Sequence, residues 1–556
     1  MTQHHSPQPD NSPVSWATHE VTNQPPPLAG FNAYSDDPIL IEAVRRADAG
    51  WIEDRARDMG ELAGSEHVQN LAYLATRHTP ELISHDRYGR RIDEVAYHPA
   101  YHELMALAFG RGLHSLAWTE TRPGRFAARA ALFYLWNQVE NGVACPVTMS
   151  FAGRQVLQQN PALSAQWMPK LLAADYDARP LPLAQKRGIT LGMAMTEKQG
   201  GSDLRANQTR AEAAGDGEFL LTGHKWFCSA PMSDGFFSLA RTEAGVTCFF
   251  VPRSLPDGTR NRFLVQRLKD KCGNRSNASA EVEYHRTWAQ RIGEDGRGIA
   301  TLIEMAHLTR FDIVIATPGM MRAALVQALH HAGHRSAFGR RLVEQPVMQN
   351  VLADLALEWE AAVLLAFRLA RAFDRAQDDE REQRFARIVT PVAKYWLCKR
   401  IPTFAAEAME CLGGNGYVEE GVLSRLYREA PVNGIWEGSG NVICLDVLRS
   451  IARDPQSVGA VLEEIDDAAT EDRRLAECAA GLERELQDSN DLEFRARRLV
   501  EKLALALQAS LMVKHAPPAV ADAFCASRLR GQGGVAFGTL PPQTPFREII
   551  GRVRAG

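Results

Sequence analysis

The chain has 556 residues, 45% hydrophobic and 23% charged, with a formal net charge of −4. That length exceeds a single hydrophobic core and sets an expectation of three or four domains, in an ordinary soluble composition. No apolar run reaches the roughly 18 residues of a membrane span, so no membrane contact is expected, and the charge balance gives no overall pull toward nucleic acid. DNA binding, if present, must come from a local patch.

The opening MTQHHSPQPDNSP is polar and proline-bearing, without the basic start and apolar stretch of a secretory signal. Nine cysteines, none in a CxxC pair, read as reduced thiols and not as a disulfide framework or zinc site. The expected location is the cytoplasm, with no bound metal. Residues 1–35 form a tail whose Pro25-Pro26-Pro27 resists both helix and sheet. Residues 36–180 repeat their apolar positions at helical spacing, as in Arg129 to Val139, with turns at Tyr88-Gly89 and Pro123-Gly124. Residues 181–298 change texture. Short β-like runs, Phe219 to Thr222, Val246 to Val251 and Ala280 to Tyr284, are separated by turns such as Gly215-Asp216-Gly217. Residues 299–453 return to long helical periods, including Val351 to Leu365, and 454–556 form a further helical segment. Its first part is acidic and its second basic, with Arg495, Arg498 and Lys502 at i, i+3, i+7, which a helix places on one face. Helix, then β, then helix gives an α+β chain with a β module between helical domains.

Four stretches carry candidate chemistry. Met193 to Asp203 (MAMTEKQGGSD) joins the helical and β segments. Its paired glycines free the backbone to approach a ligand that Thr196 and Ser202 can bond, although its composition is equally that of a polar connecting loop. In Leu221 to Ser229 (LTGHKWFCS), Trp226 is either a packed strand residue or a cofactor platform. Arg335 to Gln345 offers arginines for phosphate, or an ordinary solvated charge run. Gly413-Gly414-Asn415-Gly416-Tyr417 and Ile435-Trp436-Glu437-Gly438-Ser439-Gly440-Asn441 allow close backbone approach. Glu437 follows an aromatic residue, and a carboxylate beside such a wall has its pKa raised, which suits a general base; the alternative is a glutamate at a helix start.

In this order and spacing, MAMTEKQGGSD, GHKWF-S, R--FG-----Q, GGNGY and IWEGSGN resemble the acyl-CoA dehydrogenase family, over about residues 100–450. The resemblance implies an N-terminal helical domain, a β domain, a helical bundle, and FAD held between subunits of a homotetramer. By position it implies that Met195, Thr196 and Ser202 meet the flavin or its pyrophosphate, with Trp226, Phe227 and Ser229 beside the isoalloxazine. Arg335, Phe338 and Gln345 would reach the ADP moiety across a subunit interface, with Gly413, Gly414 and Asn441 near the diphosphate. Glu437 matches the catalytic base. Some members carry the base immediately before the arginine corresponding to Arg310, where this chain has Thr309, which cannot abstract a proton.

Further stretches, Thr18 to Gln24, Tyr88 to Arg91, Gln185 to Gly188, Leu268 to Asn277 and Leu426 to Asn433, resemble the branch of the family tied to the bacterial response to DNA alkylation. That branch implies FAD, non-sequence-specific binding of double-stranded DNA through the C-terminal region (here Arg495, Arg498 and Lys502), protection from alkylation damage, and weak acyl-CoA dehydrogenation. The alternative is a metabolic enzyme oxidising a short or branched acyl-CoA with no DNA role. The basic helix is then a solvated face or a tetramer contact.

Overall fold

The computed structural model describes residues 18–215, 217–488 and 490–553. Most of the expected N-terminal tail, Asp216 of the expected turn and the terminal Arg554 lie outside those residues.

The first helical region starts from capped, amphipathic elements. In helix Pro38–Arg46, Asp37 caps the Leu40 N–H while Ile39, Leu40, Ala43 and Val44 turn inward. Helices Arg125–Trp136 and Ala144–Leu157 are almost wholly buried and supply its centre. Gly124 precedes the first of them at φ +75°, and its absent Cβ is what lets it lie against the Asp48 backbone. One expectation fails here. Tyr88-Gly89 does not separate two helices but tips an antiparallel hairpin, β1 (Glu81–His85) and β2 (Arg91–Ala96). Burial alternates along β1, but the inward positions include Ser84 and, on β2, Asp93, so no apolar stripe of period two marks the hairpin in the sequence.

The β region consists of β3 (Leu191–Ala194), β4 (Arg210–Gly215), β5 (Glu218–Ser229), β6 (Gly235–Thr242), β7 (Gly245–Pro252), β8 (Phe263–Leu268) and β9 (Ser279–Ile292). β6 pairs with β7, β7 with β9, β9 with β5, β5 with β4, and β4 returns to β6 through Arg210 opposite Arg241. The strands thus close on themselves around buried Phe236, Phe249, Phe263 and Tyr284, leaving few free edges. Parallel pairing of β3 with β6 attaches the loop that follows β3 to this body.

Three long helices, Gly298–His334, Pro346–Arg375 and Glu380–Glu410, form the second helical region. Leu352 to Ala370 is buried on every side, as expected for a helix at the centre of a large bundle. The two helical regions are joined by a buried ion pair, Arg129 Nη2 to Asp312 Oδ2 at 2.8 Å, with Thr148 donating to the same carboxylate.

Helices Pro455–Ala469, Arg473–Gln487 and Leu492–His515 extend the bundle. Cations of the last of these helices and of the segments after it face inward: Arg497 donates to the Tyr395 hydroxyl at 3.0 Å, Arg528 binds Asp354 and Glu358, and Arg552 binds Glu360. Among the described residues no helix is long and apolar enough to cross a membrane, and no cluster of three or more metal-ligating side chains occurs.

Candidate functional site

The loop after β3 is shaped by a buried carboxylate. Glu197 accepts from Lys225 Nζ at 2.8 Å, the Thr209 hydroxyl at 2.6 Å and the Gln208 N–H at 2.6 Å. With both side chains of the pair fully buried, the lysine charge and these donors hold the Glu197 carboxyl down to about 2 against the opposing cost of burial. Anchored in this way, the loop sets the Thr196 carbonyl against the Trp226 N–H at 2.8 Å and the Met195 carbonyl against Asn207 Nδ2 at 2.9 Å. Gly201 is required at its turn: a Cβ there would sit 2.3 Å from Thr196 Oγ1. Thr196 is half-buried and Ser202 exposed, and neither hydroxyl makes a hydrogen bond among the described residues.

β5 meets this loop through an irregularity. Its ladder with β9 breaks between Lys225 and Cys228, so Trp226 and Phe227 stand out of the regular pairing. Trp226 is half-buried under Lys269, whose Nζ lies 3.2 Å from the ring centroid, and Phe227 is exposed. Ser229 closes the strand. Cys145 lies near Ser229, Asn277 and Glu437, each of which acts on its thiol. Burial pushes this thiol up to about 12, so it stays a neutral wall. Lys271, held by the Asn277 carbonyl and Ser279 Oγ, is brought down to about 8 by burial.

Glu437 stands two residues before Ser439, the N-cap of helix Gly440–Arg453, so it is not a residue of the helix's first turn. Its backbone is left-handed, φ +56°, followed by Gly438 at φ +107°. The three carbonyls of this strained turn each accept from a cation: Lys394 Nζ reaches Trp436 O at 2.9 Å and Gly438 O at 2.6 Å, and Arg310 Nε reaches Glu437 O at 2.8 Å. Arg310 is in turn fixed by Asp446 at 2.7 Å. Within this cage Glu437 Oε2 is buried with no hydrogen-bond partner. Burial raises the Glu437 pKa above the usual carboxylate range, opposed by the Thr309 hydroxyl and the Arg310 and Lys394 charges. The residue at the alternative family position, Thr309, therefore lies against the same carboxyl.

The remaining expected residues form a second group. Arg335 ends helix Gly298–His334 and donates to Asn23 O at 2.7 Å. Phe338 is 98% exposed with φ +52° at the tip of the Ser336 to Arg341 hairpin, and Gln345 Nε2 ties that hairpin down through Ala337 O at 3.0 Å. Gly413, at φ +60°, and Gly414 have open space on the side where a Cβ would stand, and Asn441 is exposed at the start of its helix. Among the described residues no hydrogen bond or ion pair joins the hairpin to the Thr196–Trp226–Glu437 group. Reading the sequence singled out neither Lys394, Lys271 nor Cys145 for this pocket. No catalytic motif marks them: Lys394 and Cys145 lie far from Glu437 in sequence and interact with it only through the fold, and Lys271 acts on Cys145.

The basic C-terminal face requires a correction in its electrostatics. Arg495, Arg498 and Lys502 do share one side of their helix, but Arg498 and Lys502 both bind Glu485, and Arg495 lies 3.5 Å from Asp488. These charges are already partnered.

Comparison with known proteins settles the lineage. Residues 23–178 match the adaptive response protein AidB N-terminal domain, 192–287 the acyl-CoA dehydrogenase middle domain and 296–452 its C-terminal domain. Putative acyl-CoA dehydrogenase AidB of Escherichia coli K12 is 46% identical over 94% of this chain and 96% of its own length. The chain belongs to the acyl-CoA dehydrogenase family. It is accordingly an oxidoreductase acting on CH–CH groups, and its cofactor is FAD. Acyl-CoA dehydrogenase family member 11 of Caenorhabditis elegans is 29% identical over 84% of this chain and 78% of its own length. The solved ACDH-11 of that organism, in complex with C11-CoA, superposes with a TM-score of 0.84 at 26% identity, covering 93% of this chain and 94% of that one. The residues present fit FAD: unpaired hydroxyls at Thr196 and Ser202, the out-of-register Trp226, and open glycine backbone at 413 and 414.

Proposed function

We propose that this chain oxidises an acyl thioester with Glu437 as the base that removes the α-proton. The observation that carries the reading is the buried, unpartnered Glu437 Oε2 on a turn clamped by Lys394 and Arg310. An acceptor with no competing hydrogen bond, its pKa raised by burial, is matched to taking a proton from a weak carbon acid near neutral pH. The clamp fixes the direction of attack. Bound FAD supplies the two-electron acceptor. Thr196 and Ser202 donate to it, and Trp226, Phe227 and Ser229 flank it. Arg335, Phe338, Gln345, Gly413, Gly414 and Asn441 complete its site across a subunit contact, which the exposed Phe338 hairpin supports; the family resemblance extends this contact to a homotetramer. The test is anaerobic mixing of the yellow protein with acyl-CoAs of graded length. Glu437→Gln keeps the shape and removes the base, so flavin bleaching slows by about two to four orders of magnitude. Undiminished bleaching in that variant would assign the base elsewhere.

The match of residues 23–178 to the adaptive response protein AidB N-terminal domain, together with the AidB relative, favours a finer reading. In it the chain is a cytoplasmic flavoprotein that binds double-stranded DNA without sequence preference, acts in protection from alkylation damage and turns over acyl-CoA weakly. The domain limits carried forward are 36–180, 181–298, 299–453 and 454–556, with DNA on the last. Because Arg495, Arg498 and Lys502 are paired, DNA must displace Glu485 and Asp488 to use them, so affinity is modest and strongly salt-dependent. Anisotropy of a labelled duplex over a salt series checks this. A log–log slope of roughly −0.9 per phosphate contacted, reduced by the triple change to alanine, supports it. No binding at low salt returns the chain to the metabolic reading.

A further inference from the structure

Away from the flavin pocket, a cavity of ≈ 400 Å³ opens where the end of helix Pro38–Arg46, the last turns of helix Pro346–Arg375 and the end of helix Leu492–His515 converge. Such a volume suits a small molecule. Its floor is apolar, with Phe367 and Leu511, and its walls carry charge. Most of that charge is balanced. Arg368 is gripped by Glu382 and Glu464, Arg381 by Glu463, Lys514 by Asp467, and Arg375 by Asp48. Two guanidiniums remain. Arg46 and Arg371 make no hydrogen bond or ion pair among the described residues, and Arg371 Nε is buried without a partner. Helix C-termini favour nearby cations, which accounts for basic residues here, but it supplies no acceptor for that N–H. His515 joins them as a neutral ring, since burial, with Arg46 and Lys514 close by, brings its pKa down to about 4.

We propose that this cavity binds a small phosphate or diphosphate ester, with Arg46 and Arg371 taking the anion and Phe367 and Leu511 receiving its apolar part. Planar guanidinium forks match phosphate oxygens, and two guanidiniums that make no hydrogen bond or ion pair are free to use them, although Glu42 and Glu360 act on Arg46 through space. His515 supplies a ring N–H to a remaining oxygen. The site is built jointly by the first helical region, the bundle and the C-terminal helices, so a ligand here crosslinks all three and stabilises their docking.

The experiment uses the FAD-loaded protein, so that the flavin diphosphate site is filled, and calorimetric titration with inorganic pyrophosphate at low ionic strength. Saturable binding at one site per chain is expected, weakened by about tenfold or more in Arg371→Gln and in Arg46→Gln at unchanged flavin absorbance. The Arg46→Gln variant keeps the test decisive if Arg371→Gln folds poorly. Absence of saturable binding below about 1 mM, or wild-type affinity in the variants, overturns the site. A parallel titration in the presence of saturating duplex DNA separates the two sources of phosphate. Undisturbed pyrophosphate binding supports a free small molecule, whereas its loss assigns the pocket to the DNA backbone and overturns the proposal.

Discussion

Gly201→Ala is the sharpest perturbation of the flavin loop. An added Cβ would lie 2.3 Å from Thr196 Oγ1, 3.0 Å from its Cγ2 and 3.1 Å from its Cβ, so the threonine side chain as a whole is in the way. The Thr196 backbone cannot retreat, because its carbonyl accepts from Trp226 N–H at 2.8 Å and Glu197 next to it is locked by Lys225. The side chain must therefore leave its rotamer or the turn must deform. Overpacking of this kind costs about 1–3 kcal/mol, and removing the hydroxyl donor from a bound flavin costs about 1 kcal/mol more. A total of about 2–4 kcal/mol corresponds to FAD binding weakened by roughly thirtyfold to several hundredfold. Fluorescence titration of FAD into apoprotein measures this directly. Gly459→Ala is the control, since nothing stands within 4 Å of its added Cβ. FAD affinity for Gly201→Ala within a factor of about three of wild type, less than 1 kcal/mol, would refute the reasoning.

Lys394→Met removes a cation that favours the ionised Glu437 and the two hydrogen bonds that hold its turn. The base works ionised, so the Glu437 pKa rises further and the ascending limb of the bleaching rate moves to higher pH; an unmoved limb would show that Lys394 is merely structural. Arg528→Met leaves Asp354 without its ion pair and Glu358 with Arg400 alone, both carboxylates being buried. It is expected to lower stability by about 3 kcal/mol or more in a melt at matched flavin content, and an unchanged melt would show that the C-terminal cations are not structural.

The helical and β textures were legible in run length and residue type: Val351 to Leu365 is a long run of helix formers buried almost throughout, and Val246 to Val251 a short β-branched and aromatic run buried throughout. The hairpin Glu81 to Ala96 escaped because its inward positions include Ser84 and the buried Asp93, so its alternation is not an apolar one. Glu437 was visible through its motif, yet what equips it for proton transfer was not. Arg310 is 127 residues away and Lys394 lies inside a different helix, and the cage exists only once both helices pack against the 436–438 turn. In the basic C-terminal run, the sequence shows the cations but not the carboxylates that stand beside them in space: Glu485 at Arg498 and Lys502, Asp354 at Arg528 and Glu360 at Arg552.

The claim at the centre of this account is that Glu437 removes the α-proton, and isotope exchange tests it apart from flavin reduction. FAD-loaded protein is incubated anaerobically in D2O with an acyl-CoA that binds, and deuterium at the α-carbon is followed by mass spectrometry. The account predicts exchange by the wild type and none above background by Glu437→Gln at equal flavin content. Exchange at the wild-type rate in that variant would contradict it.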